Sequence, residues 1–161
     1  MRSTLKSAIV LGFMAIIMWS CGGGSDENKP DHYLVDGVAI EGYDPVAYFT
    51  KSEAVKGSSE FTFEYEGVTF QFSSEKHLDL FKTDPAKYAP AYGGWCAYAI
   101  AEKSFKMEPD PTNWQIQEGE LQLFYEDFWT ELQGGLKKEW NAEPEEYKTK
   151  ADTNWDQIVT E

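Results

Sequence analysis

The chain has 161 residues, with 14 basic and 28 acidic side chains and a formal net charge of −14. Such a surface repels phosphate backbones and argues against nucleic acid as a partner. Its 6 Trp, 9 Tyr and 10 Phe exclude a disordered acidic tail, because they supply the apolar area a folded core needs.

The N-terminus opens with Arg2 and Lys6, followed by an uncharged, mostly apolar run from Ala8 to Trp19. The run is too short for a comfortable membrane span and has the layout of a signal peptide. Ser20-Cys21 closes it, and Gly22-Gly23-Gly24-Ser25 follows. A cysteine at that boundary resembles a bacterial lipoprotein signal. The resemblance implies cleavage before Cys21, lipid on its thiol and new amino group, and a cell-envelope location facing the periplasm or exterior. Residues 1–20 thus read as signal peptide, 21–30 as a flexible lipid-anchored tether, and 31–161 as one domain. Removing Arg2 and Lys6 leaves 12 basic residues against 28 acidic ones, a net charge of −16. Anionic lipid would repel that surface, so membrane attachment must come from acyl chains. With Cys21 lipidated, Cys96 is the one remaining cysteine and has no disulfide partner within the domain.

Three Asp-Pro pairs, Asp44-Pro45, Asp84-Pro85 and Asp110-Pro111, are each expected to open a helical turn. Aspartate caps free amides, and proline suits the first helical position. Phe61, Phe63 and Tyr65 alternate with polar residues. Glu66-Gly67 follows, and Val68, Phe70 and Phe72 alternate again, which predicts a β-hairpin. Trp114 and Ile116, then Glu118-Gly119, then Leu121 and Leu123 predict a second one. Ser74 caps a predicted helix from Glu75 to about Lys82. Phe128, Leu132, Leu136 and Trp140 recur every four residues, with Gly134-Gly135 as a weak point. Pro144 opens a last helix with Tyr147, Ala151, Trp155 and Ile158 on its inner face. The fold class expected is α+β: a small antiparallel sheet built from the two hairpins, with short helices and a C-terminal helical segment.

Several spaced segments resemble the YHS domain family. They are Gly42-Tyr43-Asp44-Pro45-Val46-Ala47-Tyr48-Phe49, Tyr65-Glu66-Gly67 with Phe70-Gln71-Phe72-Ser73-Ser74, and Asp84-Pro85-Ala86-Lys87-Tyr88. Tyr92-Gly93-Gly94-Trp95-Cys96-Ala97, Asp110-Pro111-Thr112-Asn113-Trp114 and the final helix are similar to its longer exported bacterial members. The likeness runs from Val38 to Trp155. It implies an association with heavy-metal handling or oxygenase subunits. The positions where short members carry metal-binding cysteines match Ala47, Ser73 and His77 here. Ala47 has no donor atom and Ser73 is a poor ligand for a soft metal, which leaves His77.

Cys96 follows two glycines that permit close backbone approach. With His77 and Met107 it would make a soft donor set suited to Cu(I), and His32 could add a fourth ligand from the N-terminal arm. The same thiol with His77 as base, and the Gly93-Gly94 amides as oxyanion donors, would suit a thiol-dependent enzyme, although no cysteine-hydrolase signature is present. Tyr92, Trp95 and Tyr98 either pack between the hairpins or line a ligand pocket. Non-catalytic binding, with a copper-type metal as the ligand class the resemblance implies, is the favoured reading. A cell-envelope interaction module without metal comes next, and an enzyme third.

Overall fold

The computed structural model describes residues 31–132 and 135–160. The expected signal peptide and tether, with Cys21, lie outside them, as does Gly134. None of the described helices is long and apolar enough to cross a membrane. The architecture is α+β, as expected.

The chain enters through β1 (Leu34–Val35) and β2 (Val38–Ala39). Asp36 and Gly37 between them both have positive φ, the pair a tight two-residue hairpin turn requires. Helix α1 (Pro45–Lys51) starts at Asp44, whose side chain accepts from the Val46 amide. The first predicted hairpin is β3 (Ser58–Tyr65) and β4 (Val68–Phe72), with Phe63 opposite Phe70 and Tyr65 opposite Val68. Helix α2 (Glu75–Thr83) follows, capped by Ser74 as predicted, then α3 (Pro85–Tyr88) and α4 (Ala97–Lys103). The second hairpin is β5 (Asp110–Gln117) and β6 (Glu120–Phe124). Helices α5 (Phe128–Leu132), α6 (Leu136–Trp140) and α7 (Pro144–Ile158) complete the chain.

The two hairpins do not share a ladder. One sheet has the order β1-β2-β4-β3, and β5-β6 stands as a separate pair. The outer edge of β4 is taken by β2, in parallel, through Val38 and Thr69. The second hairpin instead joins the segment after α3 through isolated bridges from Pro90 to Leu121 and from Cys96 to Leu123.

Asp110-Pro111 opens a strand and not a helical turn. The Asp110 carboxylate accepts from the Thr112 amide and hydroxyl, and the apolar alternation after it holds the backbone extended. Proline is tolerated there because a strand's first residues need not donate to the ladder.

Two apolar clusters meet across β6. Leu121 and Leu123 face one with Phe70, Phe72, Phe81 and Tyr48. On the opposite side of the strand, Phe124 joins Trp140, Ile100, Tyr92 and Ala151. Because both faces of β6 are covered, Gln122 is fully buried, with its carbonyl accepting from Gln115 at 2.9 Å. Ile116, expected in the core, is 37% exposed, and Leu132 is 65% exposed. The predicted four-residue stripe breaks between α5 and α6, so Leu132 and Trp140 do not share a face.

Candidate functional site

The position matching the family's metal ligands is a closed hydrogen-bond network. The Asp44 carboxylate is fully buried. Its Oδ1 accepts from the Val46 amide at 2.9 Å, capping α1. Its Oδ2 accepts from the Ser73 amide at 2.8 Å and the Ser73 hydroxyl at 2.6 Å, and faces His77 Nδ1 at 2.6 Å. His77 Nε2 lies 3.3 Å from Thr50 Oγ1. The Thr50 hydroxyl itself donates to the Val46 carbonyl at 2.9 Å. Both imidazole nitrogens therefore face acceptors.

This arrangement runs carboxylate, imidazole, hydroxyl, the order of a nucleophilic triad. The last member is miswired for catalysis: the Thr50 proton is spent on Val46, and His77 Nε2 meets an oxygen lone pair instead of a proton to remove. Nor does the donor set suit a soft metal. Ala47 offers nothing and Ser73 is spent on Asp44, which leaves the single imidazole of His77 without a second soft donor beside it. Among the described residues, no group of three or more His, Cys, Asp or Glu side chains is placed to hold a metal ion.

Cys96 sits elsewhere. It precedes α4 and is fully buried. Burial pushes its thiol up from the ordinary value, against smaller lowering contributions from nearby backbone amides of Tyr125, Ala99 and Tyr98. A reactive cysteine needs the opposite shift. Its amide donates to the Met107 carbonyl at 3.0 Å, so the backbone links these two predicted ligands. Helix α2, which carries His77, packs mainly on α1, α3, β3 and β4, whereas α4 packs mainly on α7 and β6. The structure thus gives Cys96 and His77 separate surroundings.

A cleft of about 570 Å³ opens among the described residues. Five stretches of chain wall it: the N-terminal arm at Asp31 and His32, the β3–β4 turn at Tyr65 and Glu66, the run from Ala86 to Gly93, the start of β6 at Glu120, and Trp155 on α7. Glu120 and Asp152 add carboxylates. Tyr92 has φ +53 and Gly93 φ +59, and a Cβ on Gly93 would lie 2.0 Å from the Asp31 carbonyl oxygen. Glycine there lets the arm lie against the turn, sealed by a Tyr33 amide donating to the Gly93 carbonyl at 2.9 Å.

Of the predicted aromatic trio, Tyr92 lines the cleft and donates its hydroxyl to Asp152 Oδ1 at 2.9 Å. Burial first, and Asp152 second, push its phenol well above the ordinary range, so it stays a donor. Trp95 and Tyr98 do structural work. The Trp95 indole donates to Asp31 Oδ1 at 3.1 Å, and Tyr98 packs on Tyr147 with ring centres 5.3 Å apart. His32 stands in the cleft wall, with Nε2 at 3.4 Å from Glu66 Oε2 and its ring edge-on to Phe70. Sequence reasoning missed Glu66 and Trp155 as wall residues. One was read as a turn residue and the other as core, and only the tertiary fold brings them together.

Residues 46–92 match the YHS domain family. The match to the YHS domain covers a narrower stretch than the motif likeness from Val38 to Trp155. The match begins two residues after Asp44 and ends at Tyr92, so the cleft lies at the junction of this domain with α7. No curated protein and no solved structure shows significant similarity to the chain.

Proposed function

We propose that this chain is a non-catalytic binding protein, held to a membrane by lipid on Cys21 and facing away from the cytoplasm. Its ligand seat is the cleft between the YHS domain and α7. One observation carries the reading: the cleft, at about 570 Å³, falls within the range of small-molecule sites and has aromatic walls drawn from distant parts of the chain. The positive start, the apolar run and Cys21 support the anchorage. Binding is favoured over catalysis because the Asp44–His77 pair has no proton to take from Thr50 and the Cys96 thiol is buried. The soft-metal role that the family likeness implies would require His77 Nε2 to turn from Thr50 and Cys96 to leave the core.

The test is capture of small molecules by the full chain from an extract of its source cells, read by mass spectrometry after denaturation. Ala86→Trp provides the control, because Ala86 is an exposed cleft residue and an indole there would occupy the cleft without disturbing the core. Compounds retained by the native chain should be lost from this variant. Equal retention by both, or retention of nothing, would leave an interaction module as the better account. Addition of Cu(I) should leave the melting temperature unchanged, and a rise would favour the metal role.

A further inference from the structure

Taking the cleft as the ligand seat, we propose that its ligand is a small organic cation, an amine or a quaternary ammonium compound. The wall chemistry carries the argument. Four carboxylates, Asp31, Glu66, Glu120 and Asp152, stand around the cleft. Lys148 bridges two of them, at 3.2 Å to Glu120 and 2.9 Å to Asp152. Lys106 pairs with Asp31. Two lysines against four carboxylates leave an excess of negative charge, and Glu66 faces the His32 imidazole at 3.4 Å and no lysine among the described ion pairs. The rings of Tyr65, Tyr92 and Trp155 line the same cleft, with Tyr92 buried and meeting Trp155 edge to face at 6.2 Å.

A ring face and a carboxylate attract the same sign of charge. The ring does so through its quadrupole at little desolvation cost, and the acid through its full charge. The strongest donors near the cleft do not await an anion: the Tyr92 hydroxyl and both lysines are already turned toward carboxylates. A bare metal ion would be served by the acids but not by the rings. A cation with an apolar skin uses both. The whole chain, at −14, draws such a ligand from solution and repels anions.

The experiment is calorimetric titration of the full chain with choline and putrescine, alongside the neutral isostere 3,3-dimethylbutan-1-ol and the anion 3,3-dimethylbutanoate. At least one cation should bind about tenfold or more tighter than the neutral compound, and added salt should weaken it. Glu66→Gln and Glu120→Gln should each lower that affinity by about threefold to tenfold, and Ala86→Trp should abolish it. If the neutral compound or the anion binds as well as the cations, and Ala86→Trp abolishes that binding, the cleft is the seat and the cation assignment is wrong. If cation binding survives Ala86→Trp, or neither cation binds, the assignment falls. A compound captured from cell extract but insensitive to Ala86→Trp would remove the seat itself.

Discussion

His77 Nδ1 lies 2.6 Å from the fully buried carboxylate of Asp44, and this contact ties α2 to the start of α1. Asp44 also takes two donors from Ser73 and one from Val46. Asp44→Ala strands several buried donors and removes a helix cap. It should cost about 3–5 kcal/mol in urea unfolding. His77→Ala leaves Asp44 with its remaining donors and should cost less, about 1–3 kcal/mol. A His77 variant more damaging than the Asp44 variant would show that the carboxylate is not the hub.

Burial on β6 and β5 is unequal, which sets a second expectation. Leu121→Ala should cost about 2–5 kcal/mol, because Leu121 is fully buried in the cluster with Phe70 and Phe81. Ile116→Ala, on the paired strand at 37% exposure, should cost less, about 1 kcal/mol. Denaturant midpoints of the two variants measure both. Equal losses would mean that the outer face of β5 is covered in solution.

Particular residues show what the sequence made legible. Period-2 alternation around Glu66-Gly67 and Glu118-Gly119 located both hairpins, because a two-residue turn with positive φ is a local requirement. Asp36-Gly37 carries the same local signal and was passed over, since the strands beside it are only two residues long. Gln122 defeated the alternation rule because a second layer, α4 and the helices after it, covers the face a lone hairpin would expose. Ala47, Ser73 and His77 were found as a set by likeness, but not Asp44, the group that organises them. Its role as helix cap was clear locally, whereas its contacts with Ser73 and His77 span 29 and 33 residues. The cleft was least legible, because its walls come from five stretches joined only by the fold.

Stability should fall as the solution becomes alkaline. Burial raises the Cys96 thiol above its ordinary value of 9.0, and raises the phenols of Tyr48 and Tyr92 well above 10.0. An acid with a raised folded pKa keeps its proton in the native state while the unfolded chain loses it, so stability is full below the unfolded value and declines above it. The decline should begin near pH 9 and steepen past 10 in urea midpoints. Tyr48 donates to the Pro111 carbonyl at 2.9 Å, a bond the phenolate cannot make. Tyr48→Phe should lower stability at neutral pH and flatten the alkaline slope. An unchanged slope would remove Tyr48 from the account.

Gly93→Ala should loosen the N-terminal arm before it harms the rest of the domain. The added Cβ would lie 2.0 Å from the Asp31 carbonyl oxygen, at a backbone φ of +59 that favours glycine. Backbone cannot give way as a flexible side chain does, so the arm must move. The substitution should cost more than about 1 kcal/mol. Hydrogen exchange of the Tyr33 amide, which donates to Gly93, should accelerate while the Phe70 amide in β4 stays protected. Unchanged protection at Tyr33 would mean that the close approach relaxes without detaching the arm.

The membrane anchor makes a separable expectation about Cys21. One acyl chain gives only marginal, reversible membrane binding, and stable anchoring takes a second chain or a basic patch. With 12 basic residues against 28 acidic ones after removal of the signal, this chain has no excess of positive charge to serve as that patch. On the lipid-anchor proposal, retention rests on acyl chains alone. The purified native protein should yield an N-terminal peptide beginning at Cys21 and carrying acyl mass. A high-salt wash should not release the protein from membranes, because no electrostatic attraction holds it there. Cys21→Ser should place the domain in the soluble fraction with its melting temperature unaltered, since the residues from 31 onward form the core. Membrane retention of Cys21→Ser, or an unmodified Cys21 in protein recovered free of membrane, would end the lipid-anchor reading and leave the cleft and its ligand to be judged separately.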